Sequence, residues 1–329
     1  MKFFKIVFFI LGSSLLGWVI QHINIEETFV LINLIGLGFI LVIGIYFIAF
    51  LFDTITWQIT VLSAPLTPKW TYRFFQLRLS GEAFNNILPA ASVGGEPIKA
   101  ILLKNLYGFN YHEGVASLIL ARTINTVSLI IFLFIGFLLM ISSNILDGKY
   151  NLIAGVGLII LSLFSLFFFL IQHFKLISYA SKILSRNKLF YWLNSIIDHI
   201  KKVENILISF YKGHYQRTGY AFILAFANWV LGATEIFITM HFIGHPISLA
   251  NAWIIEAIAQ LVRTATFFIP ASIGAQEGAF LIIGSAVTGS PTIGFTMAVV
   301  RRAREIIWIT WGLVVFYNTN PNTKSPTKE

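Results

Sequence analysis

The sequence predicts an all-α polytopic membrane protein, and three observations predict it. Apolar runs of about 20 residues, the length that crosses a bilayer, recur along a 329-residue chain that is 57% hydrophobic and 11% charged. Thirty-two Phe and eight Trp suit lipid-facing surfaces and interfacial belts. Lys and Arg crowd alternate connections, while the connections assigned to the outside hold only Lys149. That asymmetry orients both termini toward the cytoplasm of the cell membrane. The mean hydropathy of +0.80 agrees. No soluble basic domain accompanies the net charge of +9, so nucleic acid is not an expected partner; the basic residues read as topology signals and contacts with anionic lipid. With no Cys, disulfides and thiolate metal chemistry are excluded.

Taken in order, residues 1–20 form the first span, entering from the side of Lys2 and Lys5. A cleaved leader is the alternative, but no small-residue cleavage site follows. Residues 30–51 return. Residues 74–105 behave differently: two helical pieces of about 15 and 14 residues, each covering about 20–22 Å, flank Pro89 and Gly94-Gly95. Both fall short of a hydrocarbon core of about 30 Å, which favours a re-entrant hairpin over two spans. Residues 115–141 and 152–171 span. Residues 173–217 form a polar segment in which Leu189, Leu193, Ile196, Ile200, Val203, Leu207 and Phe210 recur at helical spacing. It reads as an amphipathic helix on the cytoplasmic surface, or as a linker helix packed on the bundle. Residues 219–242 span; 248–268 and 271–288 surround a second break, either as a second hairpin or with 248–268 spanning. Residues 292–317 close the membrane domain, and 318–329 form a disordered tail.

The two breaks align. Pro89-Ala-Ala-Ser-Val-Gly-Gly-Glu96 and Pro270-Ala-Ser-Ile-Gly-Ala-Gln-Glu277 both place Glu seven residues after Pro across a turn of small residues. Seven residues before each Pro stands an ionisable side chain, Glu82 or Arg263, and about 25 residues beyond each Glu the next span carries Arg122, or Arg302 and Arg304. With about six spans and two re-entrant hairpins, the halves 1–141 and 151–317 start on opposite sides of the membrane. This is the inverted repeat of many secondary transporters, whose sites lie near the midplane at broken helices.

The second break sits among Glu256, Arg263, Glu277, Arg301, Arg302, Arg304 and Glu305. Seven charges facing lipid, at about 2.5–3.5 kcal/mol each, total roughly 20 kcal/mol, beyond the whole stability of a typical domain. They therefore face one another, a cavity or a substrate, or lie at the membrane boundary. The start of a half-helix suits phosphate or carboxylate, and Gly94, Gly95 and Gly274 permit the bend and a close approach. Arg122, Arg263, Arg301, Arg302 and Arg304 offer bidentate donors. Glu96 and Glu277 pair with them, bind a cationic moiety or carry a proton. Glu82, Asn86, Lys99, Glu256, Ser272 and Gln276 complete the candidate substrate-binding set. Structural pairing competes with this reading: Arg78 and Glu82, and Arg301 and Glu305, stand four apart. The three clustered Arg can also snorkel from a helix end. Glu235 stands alone in its span, and His241 and His245 have no acidic partner nearby, so no metal or cofactor site is expected.

Asn85-Asn-x-Leu-Pro-Ala-x-x-Val-Gly-Gly-Glu-Pro-x-Lys99, Pro270-Ala-Ser-Ile-Gly-Ala-Gln-Glu-Gly278 and Val300-x-Arg-x-Arg-Glu305 resemble the lysylphosphatidylglycerol synthase transmembrane region, a flippase-like integral membrane family. Glu256-Ala-x-x-Gln-x-Val-Arg263 is closest to its hopanoid-biosynthesis-associated branch. The resemblance covers most of residues 1–317, and its specificity rests on the two turns. It implies movement of a lipid between leaflets without ATP hydrolysis rather than an enzyme, and a member without the soluble aminoacyl-transferase domain. Two positions depart from the pattern: Lys99 stands where many members have Arg, losing a bidentate fork, and Ala271 where Gly often follows the second Pro. The expected substrate is an anionic or amphiphilic membrane lipid. The alternatives are a non-transporting partner of a lipid-biosynthesis enzyme, or a membrane-embedded lipid-modifying enzyme. Only three Asp occur, which argues against Asp-rich diphosphate chemistry.

Overall fold

A computed structural model describes residues 13–87, 94–143, 148–173 and 194–319. The described residues form helices α1 (residues 13–21), α2 (Ile25–Ile35), α3 (Gly38–Thr60), α4 (Pro68–Ile87), α5 (Gly95–Tyr107) and α6 (Tyr111–Ser143), then α7 (Gly148–His173), α8 (Asn194–Gly213), α9 (Tyr215–Phe242), α10 (Leu249–Ala265), α11 (Ala275–Thr288) and α12 (Pro291–Thr319). The protein is a helical membrane protein: among the described residues α3, α6 and α9 are long and apolar enough to cross a bilayer. Their outer faces carry large exposed apolar side chains such as Phe47, Ile48, Ile131, Phe134 and Ile223, suited to lipid. The 29 residues of α12 have the length for a crossing, about 44 Å, but carry Arg301, Arg302, Arg304 and Glu305 in mid-helix.

Helix ends follow local chemistry. The Asn24 side chain accepts the Glu27 N–H at 3.1 Å and starts α2. Pro68 opens α4, where its missing N–H is not needed. Ser248 caps α10 by accepting the Asn251 N–H at 3.1 Å.

Helix α3 lies along α9; α12 lies against α4, α11 and α2; and α6 packs against α9, α10, α5, α7 and α8. Helices α4 and α5 pack on each other, as do α10 and α11, giving two helix–turn–helix pairs, and α4 also meets the 3-10 turn Pro270–Ser272. At the crossing of α4 and α5, Gly95 faces Gly81 so closely that a Cβ would collide with the Gly81 carbonyl oxygen. The largest core cluster joins Val42 of α3, Ile236 and Met240 of α9, Ile254 and Ile255 of α10, and Met297 and Val300 of α12.

Several boundaries differ from the sequence expectation. The second span is not 30–51. The chain breaks at Gly36, with φ of 45°, and restarts as a helix over Gly38–Thr60. The polar side chains of Thr54–Thr60 are accommodated by bonds back to their own helix and across to α6. Thr54 donates to the Phe50 carbonyl at 2.7 Å, Thr60 to the Trp57 carbonyl at 2.6 Å, and Trp57 Nε1 to Ser117 Oγ at 3.1 Å. The arm before the first turn begins earlier than 74 and is 20 residues long. Within 173–217, the amphipathic helix over 194–213 rests on the bundle, burying Leu207 and Phe210 against Ala116 and Leu120 of α6. Helix α12 runs through Thr319, into the tail expected from 318. The first residues of the initial span, the Pro89–Val93 part of the first turn, 174–193 and the remaining tail lie outside the described residues.

Candidate functional site

Between the helices lies a cavity of about 310 Å³. Its polar lining comes from one face of each contributing helix: Arg122, Asn125 and Thr126 of α6, for example, and Glu256, Gln260, Arg263 and Thr264 of α10. Five carboxylates (Asp53, Glu82, Glu96, Glu235, Glu256) meet six cations (Arg78, Lys99, Arg122, Arg263, Arg301, Arg304), so the lining is nearly balanced with one positive charge in excess. Tyr46, Phe50, Trp57, Trp229 and Phe267 supply aromatic wall.

Most of these charges are committed to one another. Arg301 is paired with Glu256, whose other oxygen accepts from Gln260 Nε2 at 2.7 Å. Arg304 is paired with Glu235, and its guanidinium lies 3.6 Å from the Tyr46 ring centroid, bridging α12, α9 and α3. In both pairs each side chain is at most 5% exposed. Arg78 is paired with Asp53 and donates to the Phe50 carbonyl at 3.0 Å, while Asn125 donates to Asp53 at 2.8 Å. Lys99 Nζ meets Glu96 at 2.6 Å. Removing one partner of such a pair leaves an uncompensated buried charge, at a cost of about 3–5 kcal/mol. These ions are therefore firmly placed.

Beside the cavity, a second network ties the Pro270 turn to α12. Arg302 donates Nε to Glu277 at 2.5 Å, Nη1 to Glu305 at 2.7 Å and Nη2 to the Ala271 carbonyl at 2.9 Å. Glu277 at the same time accepts the Gly274 N–H at 2.8 Å, capping its own helix α11. Arg263 reaches Glu305 by a single contact at 3.3 Å. Within the turn, Ala271 and Ser272 take φ of 48° and 50°, and Gly274 80°.

The candidate residues therefore divide. Glu82, Glu96, Lys99, Arg122, Glu256, Arg263, Arg301 and Arg304 line the cavity. Ser272, Gly274, Gln276, Glu277 and Arg302 lie around the second turn and do not line it. The half-helix start expected to greet an anion is occupied by Glu277. Gln276 is buried, and its side-chain amide makes no hydrogen bond. Asn86, Gly94 and Gly95 also stand off the cavity; Asn85 lines it instead and accepts the Gly95 N–H at 2.7 Å. Gly94 has an ordinary φ of −61°, so it is not the bend that was expected of it. Neither anticipated i, i+4 pair accounts for its Arg: Arg78 turns to Asp53 and Arg301 to Glu256. The clustered Arg sit in mid-helix rather than at a helix end.

Asp53, Arg78, Asn125, Asn228 and Gln260 line the cavity without having been among the expected site residues, and Glu235, read as standing alone, lines it too. Asp53 and Glu235 each carried a signal, a lone carboxylate inside an apolar helix. Among the described residues no group of three His, Asp or Glu is placed to hold a metal ion.

Comparison with known proteins adds to this geometry. A "UPF0104 membrane protein" of Methanothermobacter thermautotrophicus is 24% identical over 280 residues, covering 78% of this chain and 77% of that protein. No solved structure matches. The family model described as "Lysylphosphatidylglycerol synthase TM region" matches residues 3–312, nearly the whole chain and including every residue that lines the charged cavity, and the protein belongs to that family.

Proposed function

We propose that this chain moves a membrane lipid between leaflets without ATP hydrolysis, its head group passing through the charged cavity while the acyl chains stay in hydrocarbon. The observation that carries the reading is the cavity itself: 310 Å³ of space lined by ionised and amide side chains inside an apolar helical bundle. Intramembrane polar groups at such a place mark a substrate path.

The helix packing supports a repeat of two halves. If α1–α6 correspond in order to α7–α12, then α3 packs on its counterpart α9. The contact of α4 with α12 then has its mate in α10 with α6, and that of α2 with α12 in α8 with α6. In this reading the amphipathic helix α8 is the counterpart of α2 and belongs to the repeat. The pairs α4–α5 and α10–α11 are the re-entrant hairpins, one from each face, and both termini are cytoplasmic in the cell membrane.

The test is reconstitution. Proteoliposomes holding acyl-labelled phospholipid should expose the inner-leaflet label to an external quencher faster than empty vesicles do. Thr126→Trp, which fills the cavity from a partly exposed position on α6, should return the rate to background. Wild-type vesicles no faster than empty ones would sink the reading.

A further inference from the structure

Helix α8 is anchored on α6 unevenly along its length. Its second half is held by packing: Leu207 and Phe210 are buried against Ala116 and Leu120, with Val203 partly buried beside them. Its first half is exposed and polar at Asp198, His199, Lys201 and Lys202. Asp198 and Lys201 pair with each other at 3.3 Å rather than with the bundle. A histidine pair ties this half to α6. His112 Nε2 and His199 Nδ1 lie 2.7 Å apart although 87 residues separate them in the chain. Their rings stack at 18°, with centroids 5.0 Å apart.

The surroundings decide how many protons this pair can hold. Asn110 Oδ1 accepts the His112 backbone N–H at 2.9 Å, which identifies it as the oxygen, and it lies 3.2 Å from His112 Nδ1. An acceptor there places the His112 hydrogen on Nδ1, so Nε2 accepts and His199 Nδ1 donates. A first added proton goes to the outer nitrogen of His199 and leaves the bond intact. A second puts N–H on both facing nitrogens and turns the bond into a repulsion. The charged groups acting on His112 add to that repulsion: His199 and Lys202 of α8 and Lys104 of α5. The adjacent carboxylates are engaged elsewhere, Glu113 by the Ser63 N–H at 2.9 Å and hydroxyl at 2.8 Å, and Asp198 by Lys201.

We infer that His112 and His199 form a pH-sensitive clasp that holds the first half of α8 on α6 and releases it in acid. The closed pair holds one added proton, whereas two separated imidazoles hold two. The open form therefore binds more protons, and closure is lost as pH falls. Each pH unit below the ordinary histidine range, about 6.5, moves the ratio of open to closed about tenfold toward open. Leu207 and Phe210 stay buried throughout, so α8 swings from its second half instead of leaving the bundle. The clasp stands independently of the transport reading.

Hydrogen exchange read by mass spectrometry on the full chain in detergent tests it, with rates corrected for the intrinsic effect of pH. Protection of the amides of residues 198–203 should fall at least about tenfold between about pH 7.5 and pH 5, while that of residues 206–210 holds. In the double variant His112→Gln, His199→Asn, the amide nitrogens and oxygens stand close to the two facing ring nitrogens and keep a bond that does not titrate. Its protection over 198–203 should stay at the wild-type neutral level at both pH values. His112→Leu removes the acceptor and should leave 198–203 weakly protected at both. Retained protection over 206–210 reports that each variant is folded. Three results overturn the clasp: wild-type protection over 198–203 that does not change with pH, the same acid loss in the double variant, or full neutral protection in His112→Leu.

Discussion

The Glu256–Arg301 pair permits a quantitative test of whether the cavity frame is structural. Glu256→Gln removes the carboxylate charge while keeping the shape and one acceptor oxygen. Arg301 then stays buried beside the Phe280 ring, 4.9 Å from its centroid, with no other ion pair among the described residues. Breaking a buried pair from one side costs about 3–5 kcal/mol. Large proteins lose about 2 °C of Tm per kcal/mol, so the single variant should melt roughly 6–10 °C lower in detergent. Arg301→Gln should do similar harm by stranding Glu256, although Gln260 still donates to it at 2.7 Å. The double variant leaves two amides facing each other and no buried charge, so it should be more stable than the sum of the single losses by about 2 kcal/mol or more. Thermal unfolding followed by intrinsic fluorescence on all four proteins gives the cycle. Additive losses, or a wild-type Tm for Glu256→Gln, would refute the claim that these ions hold each other in place.

Two further outcomes follow from backbone geometry. Gly95→Ala should abolish the folded protein or lower its Tm by more than about 5 °C, a loss of more than about 2 kcal/mol, because its Cβ would meet the Gly81 carbonyl and force α4 and α5 apart; a wild-type melt would disprove that close approach. Ala271→Gly should raise Tm by about 2 °C by relieving a left-handed alanine, a gain of about 1 kcal/mol, since φ there is 48°; a lowered Tm would mean that the turn is not strained.

Composition and apolar period were enough to read the class and most long helices, because hydrocarbon imposes those patterns on every residue that meets it. The boundary of α3 was not readable that way. Thr54 to Thr60 are more polar than the run before them, and it is the bonds across to Ser117 of α6 that place them inside the bundle. That misreading also hid Asp53, and with it the true partner of Arg78. The charge argument correctly required Glu256, Arg301 and Arg304 to find partners. Which partner each would find depends on helices 45 and 69 residues apart in the chain, and local spacing favours i, i+4 neighbours instead. Glu277 and Arg302 carry the same motif signal as Arg263, yet Glu277 and Arg302 hold a turn whereas Arg263 lines the cavity. Sequence alone does not separate those uses, since both need a charge beside a helix break.

Glu277 has two tasks at once: one oxygen closes the start of α11, and the other holds Arg302 on α12. The two helices are thereby interlocked like a key in a ward. If α12 slides or rotates by a single residue, Arg302 leaves both the Ala271 carbonyl and Glu277, and the first turn of α11 is loosened with it. A rearrangement that opens this side of the bundle and keeps these bonds carries the turn, the start of α11 and the arginine-bearing stretch of α12 together.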